Sequence, residues 1–334
     1  MWTLPQFKPT QVNQSIAILT SGGDAPGMNA AIRAAVRYGL SRGCKIYGIM
    51  KGYTGILEGL IEPLEASSVA NIIQRGGTIL KTSRCDAFFK KSVRLEAAHI
   101  LKRKGIDGLV TIGGDGTFTG AHLLENETGF PCIGVPGTID NDIEGTDDTI
   151  GFDTAVNTAI QSIDRIRDTA SSHDRIFLVE VMGRNTGFIA VQVGIGGGAE
   201  TIIVPEKKQS MASICKNIDR GVKRGKTSSI IVVTEGNRVG GLANLLAKDL
   251  KKKGYSSRVC ILGHTQRGGS PTAHDRVLAS ALGASAVGYL LEGKSNTMVG
   301  VQKDQVALIP LRKMLGKKKH LADSLPKLAQ ILAT

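Results

Sequence analysis

Aromatic residues are scarce in this chain: Phe, Tyr and Trp make up 4% of 334 residues, with a single Trp. No basic stretch is interleaved with Phe or Tyr, which argues against a single-strand nucleic-acid platform, where bases stack on rings. No apolar run approaches the roughly 18 residues needed to span a bilayer. The segment from Met1 to Asn13 is polar and carries proline. It has no apolar signal core, so nothing in it argues for secretion. Cysteine is sparse too. Cys44, Cys85, Cys132, Cys215 and Cys260 are dispersed, and no pair has metal-ligand spacing. Such a set suits reduced thiols in a cytoplasm. Acidic residues are outnumbered, 29 against 42 basic ones, for a formal charge of +13. Part of the excess lies in the runs Lys102-Arg103-Lys104, Lys251-Lys252-Lys253 and Lys317-Lys318-Lys319. A basic protein binds nucleic acid or collects phosphorylated small molecules. No nucleic-acid motif stands behind the first option.

Glycine, by contrast, is abundant at 42 residues. Hydrophobic content of 41% and a mean hydropathy of zero describe a globular chain, long enough for two cores. Short apolar runs alternate with helical patterns throughout, which predicts an α/β fold with parallel sheets covered on both faces. Ser15 to Thr20 reads as a strand, Ser21-Gly22-Gly23-Asp24 as a turn, and Met28 to Arg42 as a helix. Gly108 to Ile112, Gly113-Gly114-Asp115-Gly116-Thr117 and a helix to Asn126 repeat the layout. Strand, glycine turn, helix is a phosphate-binding arrangement: backbone N–H groups approach the anion and the helix N-terminus favours it. No Gly-Lys-Ser/Thr closes either turn, so neither is a Walker loop. Ser67 to Gln74 reads as a capped helix, Gly194 to Gly198 as a flexible run, and Val299 to Ile309 as a hairpin around Lys303-Asp304.

The densest chemistry follows the strand Cys132 to Val135. Pro136-Gly137-Thr138-Ile139-Asp140-Asn141-Asp142 sets two carboxylates and a hydroxyl at a strand's C-terminal end, where open α/β sheets bind ligands. A polar turn closed by an Asx-type bond is the plain alternative. Asp115 among glycines suits Mg²⁺ beside a phosphate, or caps its helix. Further along, Arg175, Arg184, Glu235, Arg258, His264 and Arg267 fall at strand ends. Several arginines there suit a phosphate monoester, and a carboxylate suits a sugar hydroxyl. Taken singly, each arginine reads more simply as a surface ion pair. Together these features point to phosphoryl transfer from a nucleotide to a phosphorylated sugar, with Asp140 taking the hydroxyl proton.

The chain resembles the ATP-dependent bacterial 6-phosphofructokinases over roughly residues 15 to 310. The resemblance rests on Leu19 to Asn29, Ile112 to Gly116, Pro136 to Asp142, Val181 to Arg184 and Gly263 to Ser270. It implies two Rossmann-like domains with mostly parallel sheets: residues 1–150 with 265–313 for ATP and Mg²⁺, and 151–264 with 314–334 for fructose 6-phosphate. Matching residues imply an ATP site at Gly23, Arg84, Cys85, Gly114, Asp115, Gly116 and Thr117, with Asp115 on Mg²⁺. They imply catalytic roles for Asp140 as proton acceptor and for Thr138, Asp142, Arg84, Gly23 and Arg184. The sugar-phosphate site implied is Thr138, Ile139, Asp140, Met182, Gly183, Arg184, Glu235, His264, Thr265, Gln266 and Arg267. Arg175 and Arg258 would join it from a neighbouring subunit of a homotetramer. The implied product is fructose 1,6-bisphosphate, in glycolysis.

Donor choice is read at two positions. Pyrophosphate-using relatives carry Asp where this chain has Gly116 and Lys where it has Gly137, so ATP is expected. An effector site for ADP or phosphoenolpyruvate is implied at Arg33, Arg37, Arg167, Gly197, Gly198, Glu200, Arg224 and Lys226. Ala66 replaces an expected arginine there, and Arg224 a usual lysine. The expectation is weaker or altered effector binding. The tail from Lys317 to His320 reads as a solvated linker. Two other readings stand beside this one: another Gly-Gly-Asp-Gly kinase, which leaves Pro136 to Asp142 and Gly263 to Ser270 together unexplained, and a non-catalytic sugar-phosphate-binding paralogue, expected to lack Asp115, Asp140 or Arg184.

Overall fold

The computed structural model describes residues 2–8, 13–170, 175–207, 209–236, 238–322 and 324–332. In chain order the elements are β1 (Ser15–Thr20), α1 (Met28–Ser41), β2 (Lys45–Ile49), α2 (Gly52–Leu57), β3 (Ile61–Pro63), α3 (Lys91–Arg103), β4 (Gly108–Gly113), α4 (Asp115–Thr128) and β5 (Cys132–Pro136). There follow α5 (Phe152–Ala170), β6 (Ile176–Val181), α6 (Phe188–Gly196), β7 (Thr201–Ile203), α7 (Met211–Lys223), β8 (Ser229–Thr234), α8 (Gly241–Lys252) and β9 (Ser257–Ile261). The last elements are α9 (Ala273–Leu291), β10 (Thr297–Gln302), β11 (Gln305–Pro310), α10 (Leu311–Met314) and α11 (Ser324–Leu332). The chain divides into two compact units, Met1–Asp153 with Arg267–Lys319 and Thr154–Gln266 with His320–Thr334. Both are α/β.

The first unit is built on a seven-stranded sheet in the order β11-β10-β5-β4-β1-β2-β3. The five inner strands run parallel, and β11 and β3 pair antiparallel at the edges. Every residue of β4 and β5 is buried, as expected of parallel strands covered on both faces. Helices α1 and α9 pack tightly because Gly283 has no side chain; a Cβ there would strike the Ala31 carbonyl. The expected hairpin is present, and Lys303 and Asp304 both take positive φ, as a two-residue turn with the right twist requires. The segment before β1 is anchored by Phe7, which packs edge-on to Tyr289 at 4.9 Å.

The expected helix at residues 67–74 does not form. Ser68 and Ala70 donate to carbonyls three residues back, making turns. Asn71 then takes φ 54, and Asn29 captures the next stretch by donating to Arg75 O and Gly76 O and accepting from Ile79 N. Tertiary hydrogen bonds override the local pattern.

The second unit carries a four-stranded, wholly parallel sheet in the order β7-β8-β6-β9. Its core gathers Leu178, Ile214, Ile218, Ile231, Val233 and Leu250. Helix α7 is capped by Ser210, whose hydroxyl accepts from Ser213 N. The expected flexible glycine run is partly helix: Gly194 and Gly196 close α6, and the missing Cβ of Gly194 makes room for Ile202.

Candidate active site

In the first unit the C-terminal ends of β1, β4 and β5 lie side by side, so their loops meet. The Thr117 hydroxyl donates to Ser21 O at 3.0 Å, which ties the two glycine turns together. Gly137 N donates to Gly113 O at 3.0 Å and joins the third loop to them. Gly113 is obligatory, since a Cβ would strike Thr117 and the Ser21 carbonyl. Gly114 and Gly116 differ: a Cβ at either meets nothing within 4 Å. Protein packing does not demand glycine there, and the space beside α4's N-terminus stays open to an anion. The Thr82 hydroxyl donates to Gly22 O at 2.7 Å and fixes the strand of chain that leads to Arg84 and Cys85. Arg84 is exposed and Cys85 half-buried. The Arg267 guanidinium crosses the first turn, donating to Asp24 O at 3.1 Å and lying where a Cβ on Gly23 would sit 2.7 Å from it.

Asp115 is exposed at the start of α4, yet the walls around it desolvate its carboxylate. Desolvation first, and the negative charge of Asp142 second, push its pKa up to about 6. The loop after β5 carries Asp140, buried at 8% exposure, with Ile139 fully buried beneath it. Asp140 N donates to the Thr138 hydroxyl, and the Thr149 hydroxyl returns to Thr138 O at 2.7 Å. Asn141, next in sequence, takes φ 51. Lys319 lies against this loop, donating to Asn141 Oδ1 and to Asp147 O. That corrects the reading of Lys317 to His320 as a solvated linker. Burial pushes the Lys319 ammonium down, against the pull of Asp148, Asp147, Asp142 and Glu144. The sequence hid this residue inside a charge run; its only signal was its place in a basic tail that no motif covers.

In the second unit the loops after β6, β8 and β9 meet in the same manner. Met182 N donates to Gln266 Oε1 at 2.8 Å, and Glu235 N to Val181 O at 2.7 Å. Gln266 is fully buried and also donates to Ala155 O, so its side chain shapes this loop from behind. Gly183 has φ 139, and a Cβ would lie 2.6 Å from Thr186 O. Arg184 follows at φ 49 with an exposed side chain. Glu235 is buried, and His264 and Thr265 are exposed on the short 3₁₀ turn Gly263–Arg267.

Within the second unit the strand-end arginines do not form one group. Arg175 precedes β6 and Arg258 is the second residue of β9, so both stand at the N-terminal edge of the sheet. Arg184 stands at its C-terminal edge, about 20 Å away by strand rise. Arg267 belongs to the first unit. Elsewhere in the second unit, Arg167 donates to the carbonyls of Gly197 and Gly198, and Glu200 pairs with Lys226 at 3.0 Å while accepting from Ile230 N. Arg224 caps the end of α7. Arg33 and Arg37 lie on α1 of the first unit, and Ala66 on the turn that replaced the expected helix.

The family model described as phosphofructokinase matches residues 15–290, which include every loop just described. The chain belongs to the phosphofructokinase family. This phosphofructokinase is 54% identical over 318 residues to the ATP-dependent 6-phosphofructokinase 1 of Thermus thermophilus, covering 95% of this chain and 99% of that one. It is 52% identical over 320 residues to the ATP-dependent enzyme of Clostridium novyi, covering 96% and 99%. Among solved structures it superimposes on Saccharomyces cerevisiae phosphofructokinase with a TM-score of 0.86 at 34% identity, covering 96% of this chain and 48% of that one. It thus spans about half the length of the yeast chain. It shares its fold with a pyrophosphate-dependent phosphofructokinase of Nitrosospira multiformis, at a TM-score of 0.84 and 20% identity over 96% and 92% of the two chains. Among the described residues no helix is long and apolar enough to cross a membrane, and no three His, Cys, Asp or Glu side chains converge as a metal site.

Proposed function

We propose that this chain is an ATP-dependent 6-phosphofructokinase, moving the γ-phosphoryl group of ATP to the 1-hydroxyl of fructose 6-phosphate. The observation that carries the reading is the tie between the two glycine turns and the Thr138–Asp142 loop. It sets an anion cradle beside a buried carboxylate. The products are fructose 1,6-bisphosphate and ADP, a glycolytic step.

Gly23, Arg84, Cys85 and Gly114 to Thr117 hold the nucleotide. Asp115 fits a divalent cation, because a desolvated carboxylate facing a second carboxylate gains most from a positive neighbour. Mg²⁺ would be held there by one carboxylate and the phosphates, and would neutralise charge on the phosphates. Asp140 accepts the proton of the 1-hydroxyl, with Thr138 and Asp142 beside it. Met182, Gly183, Arg184, Glu235 and His264 hold fructose 6-phosphate. Gln266 acts there by shaping the Met182 loop. Arg267, which also donates to Asp24 O, joins them on the sugar phosphate.

ATP rather than pyrophosphate is the donor. Open space at Gly116 suits the nucleotide's phosphates, and a Cβ at Gly137 would lie 3.0 Å from Met28 and 3.1 Å from Ile112, leaving little room for lysine. The enzyme works as a homotetramer in which Arg175 and Arg258 complete a neighbour's sugar-phosphate site. Their place at the sheet edge opposite Arg184 supports this, since one chain alone leaves them far from that loop. ADP or phosphoenolpyruvate is bound through Arg167, Gly197, Gly198, Glu200, Arg224 and Lys226, with Arg33 and Arg37, and weakly for want of an arginine at 66.

The test is product formation from fructose 6-phosphate with ATP and with pyrophosphate, for the protein and for Asp140→Asn. Turnover with ATP alone is expected, and Asp140→Asn lowers kcat by about 10²- to 10⁴-fold. Sugar-phosphate binding without turnover by either donor would replace this reading with the non-catalytic one.

A further inference from the structure

The run Lys317-Lys318-Lys319 closes the first unit, just before the chain passes into the second. Lys317 and Lys318 are exposed; Lys319 is half-buried. Its ammonium lies 3.1 Å from Asn141 Oδ1 and 2.7 Å from Asp147 O. Asn141 Nδ2 donates to that same carbonyl at 3.2 Å. Lysine, amide and carbonyl therefore close a small ring of hydrogen bonds.

The ring matters because of where Asn141 sits. It follows Asp140 directly and holds a left-handed conformation, φ 51. That conformation costs a non-glycine residue energy, and Asn tolerates it when its side chain bonds locally. The far side of the loop is held independently. Asp147 N donates to Val301 O at 2.7 Å, Lys303 N to Asp147 Oδ2 at 2.8 Å, and Val301 N to the Thr146 hydroxyl at 3.0 Å. Residues 145–147 are thus docked on β10, and Lys319 links Asn141 to that docked backbone. Asp142, Glu144, Asp147 and Asp148 crowd the same segment; Lys319 lies among them, and His274 pairs with Asp148 at 2.9 Å.

We propose that Lys319 is a positioning residue for Asp140: its ammonium, bound to Asn141 and Asp147, fixes the left-handed turn that aims the Asp140 carboxylate at the acceptor hydroxyl. The inference rests on Asp140 as the proton acceptor. A lysine suits the task, with three donors on a stem long enough to reach in from the tail.

The experiment compares Lys319→Met, Lys319→Arg, Asn141→Ala, the Lys319→Met/Asn141→Ala double variant and Lys318→Met. It measures kcat, both KM values and the melting midpoint of each. Lys319→Met is expected to lower kcat by about ten- to a hundredfold, the scale of a small misplacement of a catalytic group. KM for ATP and for fructose 6-phosphate stays within about twofold, since substrate binding is not what is lost. Lys319→Arg recovers part of kcat, and exposed Lys318→Met matches the parent. The double variant falls no further than the worse single one, because both act through one ring. Lys319→Gln, which keeps a donor amide, repeats the test if the Met variant misfolds. An unchanged kcat in a folded Lys319 variant, or strictly additive losses in the double variant, overturns the proposal. A parent protein that itself turns over nothing removes the Asp140 reading first.

Discussion

Asp115→Asn should make this protein more stable and less active. The Asp115 carboxylate is raised from 3.8 to about 6, chiefly by desolvation and then by Asp142. A group whose folded pKa exceeds its unfolded one favours folding below the unfolded value, and loses that contribution as pH rises through the folded value. At pH 7.5 the ionised carboxylate therefore works against the folded state. About two pKa units at 1.36 kcal/mol each come to about 3 kcal/mol. The side chain is exposed, so solvent screening cuts this to about 1 kcal/mol. Asn is neutral and nearly the same shape. Without nucleotide or divalent cation, the variant should melt about 1–2 °C higher at pH 7.5. The gain should fade as pH drops from about 6 toward 4, where wild-type Asp115 takes up its proton. Adding Mg-ATP should reverse the order, since ligand binding stabilises only the form that binds well. Turnover should fall by about 10²-fold or more, the scale seen when one charge-stabilising group is removed. Thermal melts at pH 7.5 and 4.5, each with and without Mg-ATP, read all of this. A variant less stable than the parent at pH 7.5 without ligand, or a difference constant across pH, would refute the reasoning.

Gly137→Lys should destabilise the first unit by about 1–3 kcal/mol, because Met28 and Ile112 must move; denaturant titration checks it. Gly116→Asp meets open space, so its melt should stay near the parent's while kcat/KM for ATP drops at least about tenfold through repulsion of the phosphates. Ala66→Arg should tighten ADP or phosphoenolpyruvate binding by about 10- to 100-fold, one charged hydrogen bond, in a calorimetric titration. Mg²⁺ affinity should weaken as pH falls through about 6, as Asp115 protonates, and calorimetry at pH 7.5 and 5 tests the direction.

Much of this molecule was legible in the sequence because its chemistry sits at strand ends. Buried parallel strands such as Cys132–Pro136 announce themselves as unbroken apolar runs, and glycine turns with carboxylates mark where they stop. Residues 67–74 look helical in isolation, because the decisive partner, Asn29, lies on another element and holds the backbone that follows them at Arg75, Gly76 and Ile79. Spacing gave no sign that Arg175 and Arg258 stand at the opposite edge of the sheet from Arg184, since strand polarity, not proximity in sequence, decides that. Lys319 was hidden for a related reason. Three consecutive lysines look alike on paper, and only the turn geometry at Asn141 selects one of them.

The strand order of the first sheet bears on how the chain can be made. β5 lies between β4 and β10, yet β10 comes long after it, with nearly the whole second unit in between. As the chain leaves the ribosome, β5 is an open edge, fully apolar and ready to pair with any strand at hand. It is covered only once β10 and β11 have emerged, after α5 to α9 have been made. The first unit's sheet is thus completed only after most of the second unit, and a product cut short before β10 would carry a bare β5 edge prone to aggregation.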